Sequence, residues 1–263
     1  MVLESLDKEF DALQSAVRDA GALALAKIKA GGVKGWLKRG VEPVTEVDLA
    51  VNALLKERLP GKSYGWLSEE SADDPARLRK ARVWVVDPID GTRALLKGKS
   101  DFAISAALVV DGAPALGVIF APAREEFYSA RRGAGAFRNG QPIRVSGRKE
   151  LLGARIQADR DYLTSRRWAE PWPEATIGKH QSFALRLAAV AAGVYDLAIS
   201  AKPKSEWDVA AGHLLLEEAG GLCCGGSGER LSYNHPVPRF AKIVAATPGL
   251  KRAVLAQLKR RRS

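Results

Sequence analysis

The first third of the chain has the hydrophobic spacing of two amphipathic helices separated by loop-like segments. Apolar residues recur every three or four positions between residues 3 and 17, and again after a second helix start near Glu46. An apolar stripe of this kind predicts that one face of each helix packs on a core. The apolar positions are Leu3, Leu6, Phe10, Leu13 and Val17 in the first helix, and Leu49, Val51, Leu54 and Leu55 in the second.

From Arg82 to Phe137 the pattern changes to short runs of β-branched and aromatic residues between turn signals. Runs of this length, ended by Asp111-Gly112 and by Pro122, predict the strands of an antiparallel meander. The glycine-rich segment 131–140 is predicted to turn, and residues 147–152 have the composition of a linker. The predicted strands are residues 83–86, 102–110, 116–120 and 127–130.

The C-terminal part alternates predicted strands with predicted helices. The helices are predicted over Ser182–Ala192 and over Val209–Ala219, which Gly220-Gly221 ends. Such alternation indicates a layered α/β protein. We therefore expect two subdomains, residues 1–147 and 148–263, with a site at the seam between them. The strands are predicted at residues 154–158, 195–199 and 243–246.

Composition agrees with an ordinary globular protein. The 263 residues are 46% hydrophobic and 27% charged, which excludes a disordered chain and allows a sizeable core. Cys223 and Cys224 are adjacent, which excludes a disulfide-rich secreted scaffold and leaves no spacing for a cysteine zinc site. We see neither a signal-peptide pattern nor an apolar run of about 20 residues, and so expect a cytoplasmic protein without a transmembrane segment.

The formal net charge of +11 raises the alternative of nucleic-acid binding, because clustered Lys and Arg attract phosphates. Six of the basic residues lie between Lys251 and Arg262, and without them the charge falls to +5. A solubilising tail, a nucleic-acid-binding arm and a surface that attracts a small anionic substrate stay open as interpretations. Peripheral membrane association also stays open, although no apolar anchor accompanies the basic residues.

The string DPIDGT is the strongest candidate for chemistry, because Asp87 and Asp90 follow directly after an apolar strand that ends at Val86. Pro88 stiffens the turn by fixing its own φ and by biasing Asp87 toward an extended conformation. Mg²⁺ requires near-octahedral oxygen ligands, and ligands on a rigid turn lose less freedom on binding it. A short helix is predicted next, over residues 92–97, and its first N–H groups can hold a phosphate oxygen.

Three further acidic segments accompany this string. Taken alone, each is explained by local structure, as a solvated helix start, a capping box or a helix cap. The two aspartates of DPIDGT are likewise ordinary turn formers when considered by themselves. The three segments are PVTEVD with Thr45 and Asp48, LSEES with Glu69 and Glu70, and WDVAAG with Asp208.

Together, the four strings resemble the inositol monophosphatase superfamily of Mg²⁺-dependent, lithium-sensitive phosphatases, over about Asp7 to Ala246. The resemblance implies a layered αβαβα sandwich of the inositol monophosphatase and fructose-1,6-bisphosphatase type. It also implies two or three Mg²⁺ ions per site, and Ser68 stands where the family usually has glycine. The implied metal ligands are Glu69, Asp87, the backbone carbonyl of Ile89, Asp90 and Asp208.

The resemblance further implies how water would attack a phosphate ester. Asp48 and Thr92 would orient the water, with Glu69 assisting through a third metal, and the N–H groups of Gly91 and Thr92 would bind the phosphate. Two metal ions about 3.5–4 Å apart can clamp the attacking and leaving oxygens and lower the pKa of a water. Oxygen ligands select Mg²⁺ over Zn²⁺, and the scattered histidines are interpreted as structural.

Within the superfamily, the chain looks most like the 3′(2′),5′-bisphosphate nucleotidase (CysQ-like) branch. Arg93 follows Thr92, where that branch often has a basic residue, and its guanidinium would pair with a second phosphate. The stretch KPKSEWDVAAGHLLLEEAGG and the string LSYN resemble the same branch. Lys38 and Arg186 are further candidate contacts to the substrate.

The implied reaction is hydrolysis of the 3′-phosphate of adenosine 3′,5′-bisphosphate. Inositol 1-phosphate is the first alternative substrate and histidinol phosphate the second. A basic nucleic-acid-binding module is the non-enzyme alternative, but such a module gives no reason for acids in a metal-ligand pattern, so we expect no nucleic-acid polymer as partner. The sequence leaves the oligomeric state open.

Overall fold

The computed structural model describes residues 6–31, 33–38 and 42–261. Leu3, a predicted apolar position, and Arg262 of the basic tail lie outside the described residues. The helices are α1 (Asp7–Gly31), α2 (Glu46–Arg58), α3 (Thr92–Leu95), α4 (Arg160–Leu163), α5 (Phe183–Ala191), α6 (Glu206–Glu218) and α7 (Lys251–Lys259). The strands are β1 (Gly35–Lys38), β2 (Glu42–Thr45), β3 (Gly65–Ser68), β4 (Arg82–Asp90), β5 (Ala103–Val110), β6 (Ala113–Ala121), β7 (Glu126–Arg131), β8 (Ala136–Arg138), β9 (Gln141–Pro142), β10 (Ala154–Gln157), β11 (Ala175–Gly178), β12 (Leu197–Ile199), β13 (Lys204–Ser205), β14 (Leu222–Gly225), β15 (Arg239–Phe240) and β16 (Ile243–Ala246).

The predicted meander forms the larger sheet, with strand order β3-β4-β5-β6-β7-β8-β9. β3 runs parallel to β4, and the neighbours from β4 onward are antiparallel. Both faces are buried, as β4 shows: Val83 and Val85 contribute to one core, and Trp84 and Val86 to the other. This alternation follows from the two-residue period of side chains along a strand.

The smaller sheet has the order β11-β10-β12-β16-β14 and contains the predicted C-terminal strands. β10 is parallel to β11 and β12, whereas β16 is antiparallel to β12 and β14. Two short pairs, β1 with β2 and β13 with β15, lie outside the two sheets.

The helices cover the sheets in layers. α1 and α2 pack on one face of the larger sheet, and α5 and α6 share a single apolar core with its other face and with the smaller sheet. Residues of α4 and α7 form a third core on the far face of the smaller sheet. This order of layers confirms the predicted αβαβα sandwich. The division into two subdomains at residue 147 stays a prediction.

Three of the element boundaries that differ from the sequence-based prediction lie beside the acidic strings. β4 continues through Pro88 to Asp90, because Asp87 and Asp90 still pair with β5 on either side of a register shift. α6 begins at Glu206 instead of Val209, since Ser205 caps it. α3 ends at Leu95, two residues before the predicted end.

The basic C-terminal segment packs against the smaller sheet's outer layer as far as it is described. Gln257 Nε2 donates to the carbonyl of Glu170 at 2.8 Å. Arg261 forms an isolated β-bridge with Trp168, and its guanidinium lies 5.0 Å from the ring centre of Tyr162. Residues 251–261 are therefore not a free tail. Across the described residues, no helix combines the length and the apolar character needed to cross a bilayer.

The close approach of α6 to the larger sheet predicts a strong effect of Gly117→Val. A Cβ at Gly117 would lie 3.1 Å from Cα and O of Ala211, which are backbone atoms of α6 that cannot rotate away. We expect the free energy of unfolding to fall by about 1–3 kcal/mol, measured by urea denaturation. The matched control is Gly147→Val, because a Cβ there meets no atom within 4 Å. Equal stability of the two variants would contradict this packing.

Candidate metal centre

Three aspartates meet where β4 ends and α6 begins. Asp87 and Asp90 come from β4, Asp208 comes from the first turn of α6, and one carboxylate oxygen of each lies within 4.8 Å of the others. The register shift between Asp87 and Asp90 is a β-bulge, which re-aims side chains and bends the strand. The bulge thus lets two aspartates three residues apart face the same point.

Asp87 has the strongest requirement for a cation. Its side chain is buried, and Oδ1 accepts a hydrogen bond from the N–H of Ile89 at 3.1 Å. Oδ2 is also buried, and no described residue donates to it. Burial raises the pKa of Asp87 well above its usual range, and the neighbouring carboxylates Glu69 and Asp90 raise it further. A buried carboxylate oxygen without a donor needs a proton or a metal ion, so Asp87 fits a metal site.

Asp90 and Asp208 each have one oxygen held by the protein. Asp90 Oδ2 accepts from Ser182 Oγ at 2.8 Å and from the N–H of Ala184 at 2.6 Å. Asp208 Oδ2 accepts from the N–H of Ser205 at 2.8 Å, which closes the capping box of α6. Burial raises the pKa of Asp90 to about 6, with Asp208 as the next cause. The second oxygen of each aspartate is left for a metal ion, and oxygen ligands of this type suit Mg²⁺.

The structure brings Asp48 and Thr92 together across 44 positions of sequence. Thr92 Oγ1 lies 3.1 Å from Asp48 Oδ1 and 3.0 Å from the carbonyl of Ile89. Asp48 Oδ2 accepts from the N–H of Thr45 at 2.9 Å and also from its hydroxyl, which confirms the predicted capping box. Burial raises the pKa of Asp48 to about 6, although the bonds from Thr45 and Thr92 oppose the rise.

Glu69 lies apart from the three aspartates and is held by a lysine. Lys38 Nζ lies 3.2 Å from Glu69 Oε1 and 2.7 Å from Glu70 Oε1. Burial raises the pKa of Glu69 to about 7, while the charge of Lys38 lowers it. The structure thus places Lys38, predicted as a substrate contact, on two carboxylates at the edge of the site. The predicted roles of Lys38 and Glu69 stay predictions.

The remaining predicted contacts lie around the same centre. Gly91 caps α3 with a φ of 98°, and a Cβ there would lie 2.8 Å from the carbonyl of Asp101, so this turn requires glycine. Arg93 is exposed in the first turn of α3. Arg186 is largely buried in α5, where its Nε donates to the carbonyl of His180 at 2.7 Å and its charge acts on Asp90.

Two residues of the site were not among the predicted ones. Ser182, which fixes Asp90, directly precedes the apolar run of α5, and a serine in this position is the signature of an N-cap. Lys204 lies 3.7 Å from Asp208 Oδ2. Its spacing of four residues from Asp208 is the available sequence signal, although such pairs are common on exposed helices.

The raised pKa values predict that Mg²⁺ stabilises the protein more at pH 8 than at pH 5. The metal-free native protein holds protons on Asp48, Asp90 and Glu69 that the unfolded chain releases at lower pH. These groups therefore lower the free energy of unfolding as pH rises from about 4 through about 7. Mg²⁺ takes the place of the protons and competes better at pH 8. The measurement is the rise in Tm from EDTA to MgCl₂ at each pH, and a larger rise at pH 5 would contradict the prediction.

Comparison with known proteins shows the family to which the chain belongs. The sequence model of the inositol monophosphatase family matches residues 5–262. The histidinol-phosphatase of Chlorobaculum parvum is 35% identical over 213 residues, which cover 78% of this chain and 80% of that protein. The Nus factor SuhB of Pseudomonas aeruginosa is 37% identical over 256 residues, which cover 88% of this chain and 91% of that protein. The solved structure of the inositol monophosphatase from Anabaena (Nostoc) is 27% identical, with a TM-score of 0.81 and 97% of each chain covered. The resemblance seen in the four strings is confirmed, and the chain belongs to the inositol monophosphatase family.

Proposed function

We propose that the protein is a Mg²⁺-dependent phosphomonoesterase that hydrolyses adenosine 3′,5′-bisphosphate to AMP and phosphate, with water as the nucleophile. The observation that carries the reaction class is the orphaned oxygen of Asp87 among converging carboxylates, directly beside the Thr92–Asp48 pair. Such an arrangement attracts cations and, through them, the phosphate of an ester.

The metal ions would be held by the carboxylates of Asp87, Asp90, Asp208 and Glu69 and by the carbonyl of Ile89. Bound Mg²⁺ supplies positive charge that stabilises the phosphoryl group and lowers the pKa of a water. Thr92 donates its hydroxyl hydrogen to Asp48 Oδ1, which leaves the lone pairs of Oγ1 to accept a hydrogen from the attacking water. Asp48 is held rigidly in turn, because its other oxygen caps α2. The pair thus orients a water without forming a covalent intermediate.

The charges around the centre favour a substrate with a second phosphate. Three basic residues lie near one another. Burial lowers the pKa of Lys179, and the positive charges of Arg186 and Lys202 lower it further. Asp159 pairs with Lys179, and Arg186 interacts electrostatically with Asp101 and with Asp90 of the metal site. Cations gathered beside a phosphate site repel one another unless an anion lies among them. The 5′-phosphate of the bisphosphate would supply that anion, and Arg93 at the start of α3 is a second candidate partner.

The test is a comparison of kcat/KM for adenosine 3′,5′-bisphosphate, 3′-AMP, inositol 1-phosphate and histidinol phosphate in MgCl₂. We expect the bisphosphate to exceed 3′-AMP by about tenfold or more, since a charge-assisted phosphate contact is worth ~1.5–3 kcal/mol. Arg186→Met should remove most of that difference and leave 3′-AMP turnover nearly unchanged. The matched control is Arg252→Met, which removes an exposed charge on α7.

A second candidate substrate is histidinol phosphate, favoured by the name of the 35% identical Chlorobaculum relative. An inositol monophosphate, of which inositol 1-phosphate is the one tested, is supported in the same way by the name of the Anabaena structure. A clear preference for either in the comparison above would overturn the nucleotide as substrate and leave the phosphomonoesterase reaction in place. Loss of turnover in EDTA is expected for all four esters.

A further inference from the structure

The ammonium group of Lys38 supplies a positive charge beside Glu69, one of the predicted metal ligands. Its Nζ is within 3.2 Å of Glu69 Oε1, 2.7 Å of Glu70 Oε1 and 3.4 Å of the carbonyl of Glu69. An ammonium group has three donors, and these three oxygens account for all of them. The side chains are only 23% exposed for Lys38 and 5% exposed for Glu70, so solvent screens the contact weakly.

Glu69 is consequently drawn in two directions. It lies outside the group of Asp87, Asp90 and Asp208 whose oxygens are within 4.8 Å of one another, although it belongs to the same acidic site. Its negative charge is repelled by Asp208 and attracted by Lys38. A metal ion in the aspartate group would attract Glu69 toward that group and away from the ammonium.

We propose that Lys38 is a built-in counter-cation of Glu69 that Mg²⁺ must displace, and that Glu70 sets how readily it leaves; this rests on the proposed metal-dependent function. Glu70 makes the shorter of the two carboxylate contacts, 2.7 Å against 3.2 Å. When Glu69 turns to the metal, the ammonium keeps a partner in Glu70. Lys38 is thus a positioning residue that controls metal affinity.

The two neighbours of Glu69 should therefore act with opposite signs. Lys38→Met frees Glu69 and should tighten Mg²⁺ binding. Glu70→Gln removes one of the two carboxylates that contact Lys38, so the ammonium group depends more on Glu69. This variant should therefore weaken Mg²⁺ binding. In the double variant, which combines Lys38→Met with Glu70→Gln, the lysine is absent, so the change at Glu70 should have little remaining effect on Mg²⁺ affinity.

Lys204 provides the matched control. Its Nζ lies 3.7 Å from Asp208 Oδ2, the oxygen that already accepts from the N–H of Ser205. Lys204→Met removes the same unit charge from the other side of the site without releasing a carboxylate for the metal. Its effect on Mg²⁺ affinity measures the general effect of charge, against which the effect of Lys38→Met is compared.

The experiment is isothermal titration calorimetry of MgCl₂ into the full chain at pH 8, with Tm in EDTA as the check of folding. We expect Lys38→Met to lower the Kd about tenfold, and Lys204→Met to lower it about threefold or less. Glu70→Gln should raise the Kd about threefold or more in the wild-type background and change it less than about twofold in the Lys38→Met background.

An equal effect of Glu70→Gln in both backgrounds would overturn the inference, because Glu70 would then act on the metal directly. Equal effects of Lys38→Met and Lys204→Met would overturn it as well. If wild type and all variants fail to bind Mg²⁺, the proposed function is wrong together with the inference. If they bind Mg²⁺ but the substitutions at Lys38 and Glu70 leave the Kd unchanged, only the inference is wrong.

Discussion

Asp87→Asn is expected to abolish hydrolysis and, at the same time, to make the Mg²⁺-free protein more stable at pH 8. Asparagine has the shape of aspartate but carries no charge, so it removes a metal ligand without leaving a cavity. Buried Asp87 has an oxygen without a donor and lies among other carboxylates, all of which disfavour its charge. We expect kcat/KM to fall more than about 10³-fold and the free energy of unfolding in EDTA to rise by about 1–3 kcal/mol.

The dependence on pH separates this effect from a general change in packing. The pKa of Asp87 is raised, so as pH rises above the usual range of an aspartate the unfolded chain releases a proton that the folded wild type still holds, and wild type loses stability that the asparagine variant keeps. The stability difference between Asp87→Asn and wild type should therefore grow from pH 5 to pH 8, measured as urea midpoints in EDTA. In MgCl₂ the order should reverse, because wild type alone gains the full metal contribution.

Asp73→Asn is the control, with the opposite expected sign. Asp73 accepts from Nε of the buried Arg77 at 2.6 Å and from its Nη2 at 2.9 Å, and this pairing holds the pKa of Asp73 below its usual range. Removing that charge should lower stability at pH 8 and leave kcat/KM near the wild-type value. An Asp87→Asn protein with wild-type turnover, or with lower stability than wild type in EDTA at pH 8, would contradict the assignment of the metal centre.

Thr92→Val is expected to lower kcat by about 10²–10³-fold while Mg²⁺ affinity changes little. Valine keeps the volume of threonine but cannot link Asp48 to a water, and the Thr92 hydroxyl is not one of the carboxylate ligands. Asp48 Oδ1 loses its donor in this variant, whereas its other oxygen keeps the cap of α2. The measurements are steady-state kinetics and Mg²⁺ calorimetry on the same preparation.

Thr92→Ser is the matched control, because it restores the hydroxyl. It should recover turnover to within about tenfold of wild type. A parallel loss in Thr92→Val and Thr92→Ser would indicate that packing of the methyl group matters instead of the hydroxyl. A large loss of Mg²⁺ affinity in Thr92→Val would show that Thr92 supports the metal ions directly.

Much of the fold followed from local patterns in the sequence. The meander was predictable because its strands are apolar and are separated by turn signals, such as Pro122 and the pair Asp111-Gly112 with positive φ. The start of α6 was predicted too late, because the charged residues Glu206 and Asp208 interrupt the apolar pattern while Ser205 provides the cap. Capping residues carry more information about helix ends than the hydrophobic pattern does.

The candidate site was predictable as a set of acids but not as a network. Asp48, Asp87, Asp90 and Asp208 were identified by motif. The structure brings Asp87, Asp90 and Asp208 together and pairs Asp48 with Thr92 beside them. The bond from Ser182 to Asp90 joins residues 92 positions apart, and that from Lys38 to Glu69 joins residues 31 positions apart. Such contacts depend on how separate elements pack, which no local pattern specifies. The basic group around Arg186 was missed for the same reason.

Some acids of the site use one carboxylate oxygen for a structural hydrogen bond and leave the other for chemistry. This difference between the oxygens matters for identifying active relatives of this chain. Asp48 and Asp208 each use one oxygen to begin a helix, so a descendant that had lost its chemistry would still gain stability by keeping them. Asp87 has a buried oxygen with no comparable structural bond, so its charge destabilises the folded protein when no metal is bound. In a genome survey, an intact Asp87 is therefore the better diagnostic of a working enzyme, and its replacement by a neutral residue marks a degenerate copy.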